Sequence, residues 1–108
     1  MAYHYVPRVG QVYSKTLTSS FVQVLTAAQA KNIRGFKMKV RVTPGGAAPG
    51  FFDIAFTSSP DTSEDVTDGT GFLSYTGSGL GDMFGPSNGV WARTRSSGTT
   101  VLEIITYN

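Results

Sequence analysis

Residues 35–42 read GFKMKVRV, and from Phe36 onward apolar and basic side chains alternate: Phe36, Met38, Val40 and Val42 against Lys37, Lys39 and Arg41. A pleated strand sends successive side chains to opposite faces. The run therefore predicts a strand with its apolar side on a core and its basic side outside. The same period of two recurs at 21–25 (FVQVL), 51–56 (FFDIAF), 72–76 (FLSYT), 90–95 (VWARTR) and 101–107 (VLEIITY), and more weakly at 11–18. Between these runs lie turn-forming clusters, TPGGAAPG at 43–50, TGSGLGD at 76–82 and FGPSNG at 84–89, which account for most of the thirteen Gly and five Pro. The SSGT at 96–99 reads as a tight hairpin between two strong strands. Only TAAQAKN at 26–32 has helix-forming residues, enough for a single turn or a loop. Ile33 is on the opposite parity from Phe36, so a bulge at Gly35 is expected to restore the facing.

Short strands separated by turns, without intervening helical periods, give an all-β chain: a single antiparallel β-sandwich or jelly roll rather than an α/β fold. An N-terminal arm is expected at 1–13, where Pro7 and Gly10 interrupt an irregular series of Tyr and Val, and the sandwich domain at 14–108. At 108 residues one core is expected, and 40% hydrophobic residues, seven Phe among them, are enough to form it without a staple. The chain has no cysteine, which excludes disulfides and Cys-based zinc sites. Nothing resembles a secretory signal or a membrane helix, so a soluble protein made in the cytoplasm is expected. Net charge is +2, so any electrostatic function has to be local.

Catalytic chemistry has little to stand on. The one imidazole, His4, sits near the terminus; GSGLGD lacks the Lys-Ser/Thr ending and strand-to-helix setting of a phosphate loop; no enzyme activity and no cofactor are expected. Asp61, Glu64, Asp65 and Asp68 make an oxygen-rich loop, but their spacing is not that of a calcium-binding hand, and a solvated acidic loop is the expectation.

The residues expected to bind partners are of three kinds. Lys31, Arg34, Lys37, Lys39 and Arg41 are five of the nine basic residues, and the three on the strand share one face. That face is a solvated surface that discourages edge-to-edge aggregation, or a docking surface for an acidic protein; nucleic acid fits least, because Phe36 points away from the cations. Trp91 shares its parity with Arg93 and Arg95, a combination found at interface hot spots and sugar platforms, and it is exposed if Val90, Ala92 and Thr94 face the core. Tyr3 and Tyr5 belong to an arm of the kind that adds to a neighbour's sheet. The last strand has apolar residues on both faces, Leu102 and Ile104 against Val101, Ile105 and Tyr107, as if covered on both sides, either by the sandwich or by a neighbouring subunit.

The segments VLTAAQAKNIRG at 24–35 and VWARTRSSGTTVLEI at 90–104 carry a resemblance to small β-sandwich virion structural proteins of tailed bacteriophages, which spans residues 18–107. The resemblance implies a capsid decoration or cement protein that binds the outside of the shell and bridges neighbouring subunits, or a tail or baseplate component. Its partners would be the major capsid protein or other virion proteins and further copies of itself, a trimer being favoured. A carbohydrate-binding receptor module, with Trp91, Tyr75 or Tyr107 as platform and Asp53 or Asp82 accepting hydroxyls, is the alternative. Neither nucleic acid nor membrane is an expected partner.

Overall fold

The computed structural model describes residues 8–41, 51–61, 71–76, 81–95 and 99–108. Seven strands and one short helix follow in the order β1 (Val9–Leu17), β2 (Val22–Leu25), α1 (Ala27–Lys31), β3 (Gly35–Val40), β4 (Phe52–Ala55), β5 (Leu73–Tyr75), β6 (Val90–Arg93) and β7 (Thr100–Tyr107). They form two antiparallel sheets, β1-β7-β3 and β2-β6-β4-β5. Together the sheets make the expected all-β sandwich.

The pairings are nested. The first strand pairs with the last, β1 with β7; β2 pairs with β6; β4 pairs with β5 at the centre of the nest. The remaining level is β3, which meets Phe84 in an isolated antiparallel bridge at Phe36, held by backbone bonds of 2.9 Å in both directions. One long hairpin folded over on itself produces this nesting, and the pairs β3–β7 and β6–β4 close it into a jelly roll. The strand beside β3 is thus reduced to a bridge in the Gly- and Pro-rich 81–89 segment.

Alternation explains the core. In β7 every second residue is buried, Thr100, Leu102, Ile104 and Thr106, and in β3 Phe36, Met38 and Val40 are buried while Lys37 and Lys39 are half-exposed. From the second sheet come Val24, Leu25, Phe52, Ile54, Val90 and Ala92. Phe84 lies on this core, stacked on Phe36 at 5.4 Å and set edge-on to Tyr75 at 6.2 Å.

Several expectations change on contact with the fold. No bulge occurs at Gly35, whose register with β7 runs on from Gly35–Tyr107 to Val40–Leu102 without a shift. Ile33 reaches the core from the bend before β3, so its parity never had to match. Gly35 is required for a different reason: a Cβ there would lie 2.6 Å from the Phe84 carbonyl oxygen and 2.7 Å from Met83 Sδ. A hairpin at 96–99 is also excluded, because β6 and β7 belong to different sheets. Thr94, just past β6, and Thr100, at the start of β7, are joined across the sheets by Thr94 Oγ1 donating to Thr100 Oγ1 at 3.3 Å; residues 96–98 lie outside the described residues. The first strand begins at Val9, so residues 9–13 of the expected arm are sheet, paired to β7. The run at 26–32 is a five-residue helix, closed at its start by a capping box in which Thr26 and Gln29 exchange side-chain to backbone hydrogen bonds.

Candidate functional site

The residues expected to bind partners are divided between two opposite faces of the sandwich. Lys37, Lys39 and Arg41 lie on the outer side of the first sheet, and Trp91 and Arg93 on the outer side of the second, with Arg95 just beyond the end of β6. Tyr3, Tyr5 and Val42 lie outside the described residues, as do Glu64, Asp65 and Asp68 of the acidic loop. Among the described residues no three His, Cys, Asp or Glu side chains gather as metal ligands would, and no helix is long and apolar enough to cross a membrane.

On the first sheet the strand register arranges the outer side chains in rows. Val12, Ile105 and Lys37 make one row; Ser14, Glu103 and Lys39 make the next; Thr16 and Val101 follow, with Arg41 just past the end of β3. Glu103 is the countercharge of the basic ribbon. Its carboxylate is 3.5 Å from Lys39 Nζ and 3.3 Å from Arg41 Nη2, and Arg41 also donates to Ser14 Oγ at 2.7 Å. The basic side chains are about as exposed as ordinary surface residues, so each pair contributes under about 1 kcal/mol. Lys37 has no ion-pair partner among the described residues. Beside these charges runs an apolar strip. Val9 and Val12 on the edge strand β1 are 60% and 56% exposed, and Ile105 and Tyr107 beside them are half-buried.

The outer side of the second sheet is organised around a buried acid. Asp53, on β4, sits between Ser74 of β5 and Arg93 of β6, and is fully shielded from solvent. Its Oδ2 accepts from Arg93 Nε at 2.8 Å and lies 3.0 Å from Arg95 Nε; its Oδ1 accepts from Ser74 Oγ at 2.7 Å and from Arg95 Nη2 at 3.1 Å. The Arg93 guanidinium lies 4.8 Å from the ring centroids of both Phe21 and Phe72, held between them. A buried carboxylate is tolerable only when its lone pairs are filled, and this one accepts three hydrogen bonds and forms ion pairs with both guanidinium groups. Asp53 is therefore unavailable as an acceptor for sugar hydroxyls.

The aromatic residues do not form one platform. Trp91 is half-buried, with its ring so close over Gly89 that a Cβ there would meet it at 3.0 Å. Tyr75 is stacked at 5.4 Å on Phe52 of the core, and its phenol is held above the ordinary value of 10.0 by burial and by the nearby Asp82 carboxylate. Tyr107 is on the other sheet. Sequence reading missed the pairing of Asp53 with Arg93 and Arg95, though its trace is present. A lone acid interrupts FFDIAF on the parity opposite Phe52 and Ile54, and two Arg occupy alternate positions of another strand. No family model, no curated protein and no solved structure matches this chain.

Proposed function

We propose that the chain is a structural protein of a tailed-phage virion, a capsid decoration or cement protein that binds the outside of the shell and bridges neighbouring subunits. The observation that carries the reading is the outer side of the β1-β7-β3 sheet, where exposed Val9 and Val12 adjoin Ile105, Tyr107 and the cations Lys37, Lys39 and Arg41. An apolar strip bordered by charge on a rigid sheet has the anatomy of a protein-binding surface, its apolar part excluding water and its rim setting register. The resemblance of residues 24–35 and 90–104 to small phage virion proteins supplies the virion context. The mechanism is adhesive. Each contact buries modest apolar area, at about 25 cal/mol per Å², and many copies on one shell convert weak contacts into avidity.

Co-sedimentation with shells assembled without this chain, at low and at high salt, tests the reading. Saturable binding at symmetry-related sites, weakened by salt and by Lys37→Glu with Lys39→Glu, is the expected result. Failure to bind shells at either salt concentration removes the capsid assignment.

A further inference from the structure

The two edges of the β1-β7-β3 sheet are unlike. On the β3 side the outward backbone groups are taken: Phe36 exchanges bonds of 2.9 Å with Phe84, and the Met38 carbonyl accepts from Gly81 N at 3.3 Å. These bonds also fix which way the other strands turn their backbones, because in an antiparallel ladder residues that bond to one neighbour alternate with residues that face the other side. Phe36 and Met38 are turned away from β7, so Lys37 and Lys39 face it, as does Arg41, whose N–H donates to Val101 O at 2.8 Å. Across the register Val101, Glu103 and Ile105 are then spent on β3, and Leu102, Ile104 and Thr106 turn to β1. Asn108 continues that series, exchanging bonds of 3.2 and 2.6 Å with Arg8. On β1 the partners of Leu102 and Ile104 are Lys15 and Tyr13. Val12, Ser14 and Thr16 therefore direct their N–H and C=O groups away from the sheet.

No described strand lies beside them. The strand β1 ends its sheet, and at nine residues it is the longest edge, against six for β3, four for β2 and three for β5. Val12, Ser14 and Thr16 are all exposed, and so is Lys15, although its parity is that of half-buried Tyr13 and buried Leu17. The charge along this edge has one sign: residues 8–18 contain Arg8 and Lys15 and no Asp or Glu. The one acid of the sheet, Glu103, is committed to Lys39 and Arg41.

We propose that the open edge of β1 takes up an extended, acidic segment of a partner protein, which pairs antiparallel with Val12, Ser14 and Thr16 as a fourth strand of the sheet. In such an addition the backbone ladder supplies affinity and the alternate side chains supply choice. Charge complementarity selects the occupant. Lys15 takes a non-hydrogen-bonded position of the new pair, where facing side chains come closest, so an acid opposite it forms a cross-strand ion pair. Arg8 receives a second acid at the other end of the segment. Between them Val12 on the outer face and Tyr13 on the inner face receive apolar residues. A second β1 strand is a poor occupant, since it brings two more cations and no acid to the same edge. A nucleic acid has no N–H and C=O ladder to offer. The proposal extends the adhesive reading of this sheet, from which it takes the partner to be a protein; its test uses no shell, so either can fail without the other.

The probe is a capped peptide spanning Val9–Leu17 in antiparallel register, with Glu opposite Lys15 and near Arg8, Val opposite Val12 and Tyr13, and Thr elsewhere. A matched peptide carries Lys in place of Glu. Backbone amide shifts followed by NMR are expected to show saturable binding of the Glu peptide at low ionic strength, with the largest shifts at Val12, Ser14 and Thr16, and no binding of the Lys peptide. Raising salt to about 1 M, where the Debye length falls to about 3 Å, should weaken the binding. Ser14→Pro removes an outward N–H and leaves the bonds to β7 in place, as Pro is tolerated where an edge N–H faces solvent. It should lose the Glu peptide at an unchanged Tm, whereas Ser14→Ala, which lacks the same hydroxyl but keeps the N–H, should retain it. Lys15→Glu should release the Glu peptide and take up the Lys peptide, a gain that a misfolded protein could not make. The inference is overturned if the Glu peptide does not bind at low salt, if Ser14→Pro binds it as the parent does, or if the parent binds both peptides alike. Shifts centred on β2 or β5, or a dimer through β1 that the peptide has to displace, overturn it as well.

Discussion

Replacing Asp53 by Asn removes one negative charge and almost no volume. Two guanidinium groups converge on that carboxylate, Arg93 with its side chain 15% exposed and Arg95 with its own 54% exposed. Removing one member of a buried pair typically costs about 3–5 kcal/mol, since the partner is left desolvated without its countercharge. The lower end applies here: Asn keeps one oxygen to accept from an Arg, and Arg95 is free to turn toward water. At about 2.1 cal/mol/K of unfolding entropy per residue, a loss of about 3 kcal/mol lowers Tm by about 13 °C for a chain of this length. Thermal and urea unfolding of Asp53→Asn would measure both quantities. Arg93→Lys separates the ring contacts from the charge: Lys keeps the cation but loses the planar group lying between Phe21 and Phe72, each contact worth about 0.5–1 kcal/mol or somewhat more where desolvated. A double-mutant cycle of Asp53→Asn with Arg93→Met should show strong coupling, the double variant being less damaged than the sum of the singles. If Asp53→Asn unfolds within about 0.5 kcal/mol of the parent, as a surface ion pair would, the account of Asp53 as the buried centre of the second sheet is wrong.

Gly35→Ala should destabilise by about 1–3 kcal/mol, because its Cβ would press on the backbone of Phe84, whereas Gly71→Ala, with open space around it, should not; urea midpoints of the two variants decide this. Glu103→Gln should change stability by less than about 1 kcal/mol and yet strengthen binding to shells at low salt, since it removes the countercharge of Lys39 and Arg41; co-sedimentation and unfolding are read on the same sample. Thr26→Ala should cost about 1 kcal/mol through loss of the capping box that starts the short helix, again by urea unfolding. Because the folded phenol of Tyr75 titrates above 10.0, its protonated form favours the fold. That contribution is complete below pH 10 and is lost as pH rises through the folded value, and Asp82→Asn should lower the Tyr75 ionisation followed by ultraviolet absorbance.

Much of the fold was legible in the sequence wherever one face of a strand is apolar and the other is not. GFKMKVRV and VLEIITY alternate cleanly, and β3 and β7 lie where that alternation places them. Pairing was less legible, because alternation says which face a residue takes and nothing about which strand lies beside it. SSGT looked like a hairpin for that reason, although β6 and β7 are neighbours in sequence and members of different sheets. Gly35 misled in a related way: its need for space comes from Phe84, nearly fifty positions along the chain, and no local pattern records such an approach. Within the candidate surfaces the cations of β3 were found correctly on an outer face, but their countercharge Glu103 is more than sixty residues away in sequence. Arg93 and Arg95 were legible as outward-facing, while their commitment to Asp53 depended on the β4–β6 pairing and so could not be read.

The nesting also bears on why the β1-β7-β3 sheet should be the adhesive one. A nested jelly roll brings its two termini together last, since β1 and β7 span nearly the whole chain, and loop closure over that distance makes such contacts late and slow. The edge β1 is the longest strand and ends with Val9 and Val12 in water, which is the pattern that invites uncontrolled strand addition. Two features of the chain oppose that hazard without covering the apolar strip: the register irregularity between Val9 and Gln11, which disturbs the end of the edge, and the cations at Arg8 and Lys15, which repel an identical edge. A chain that needed only to be soluble would replace the two valines with polar residues. Retaining them beside like charge is the arrangement expected of an edge that repels an identical edge and accepts a surface of opposite charge, so Val12→Ser should weaken shell binding more than it changes Tm. If Val12→Ser leaves shell binding at low salt unaltered, the apolar strip has no part in the contact and charge alone governs it.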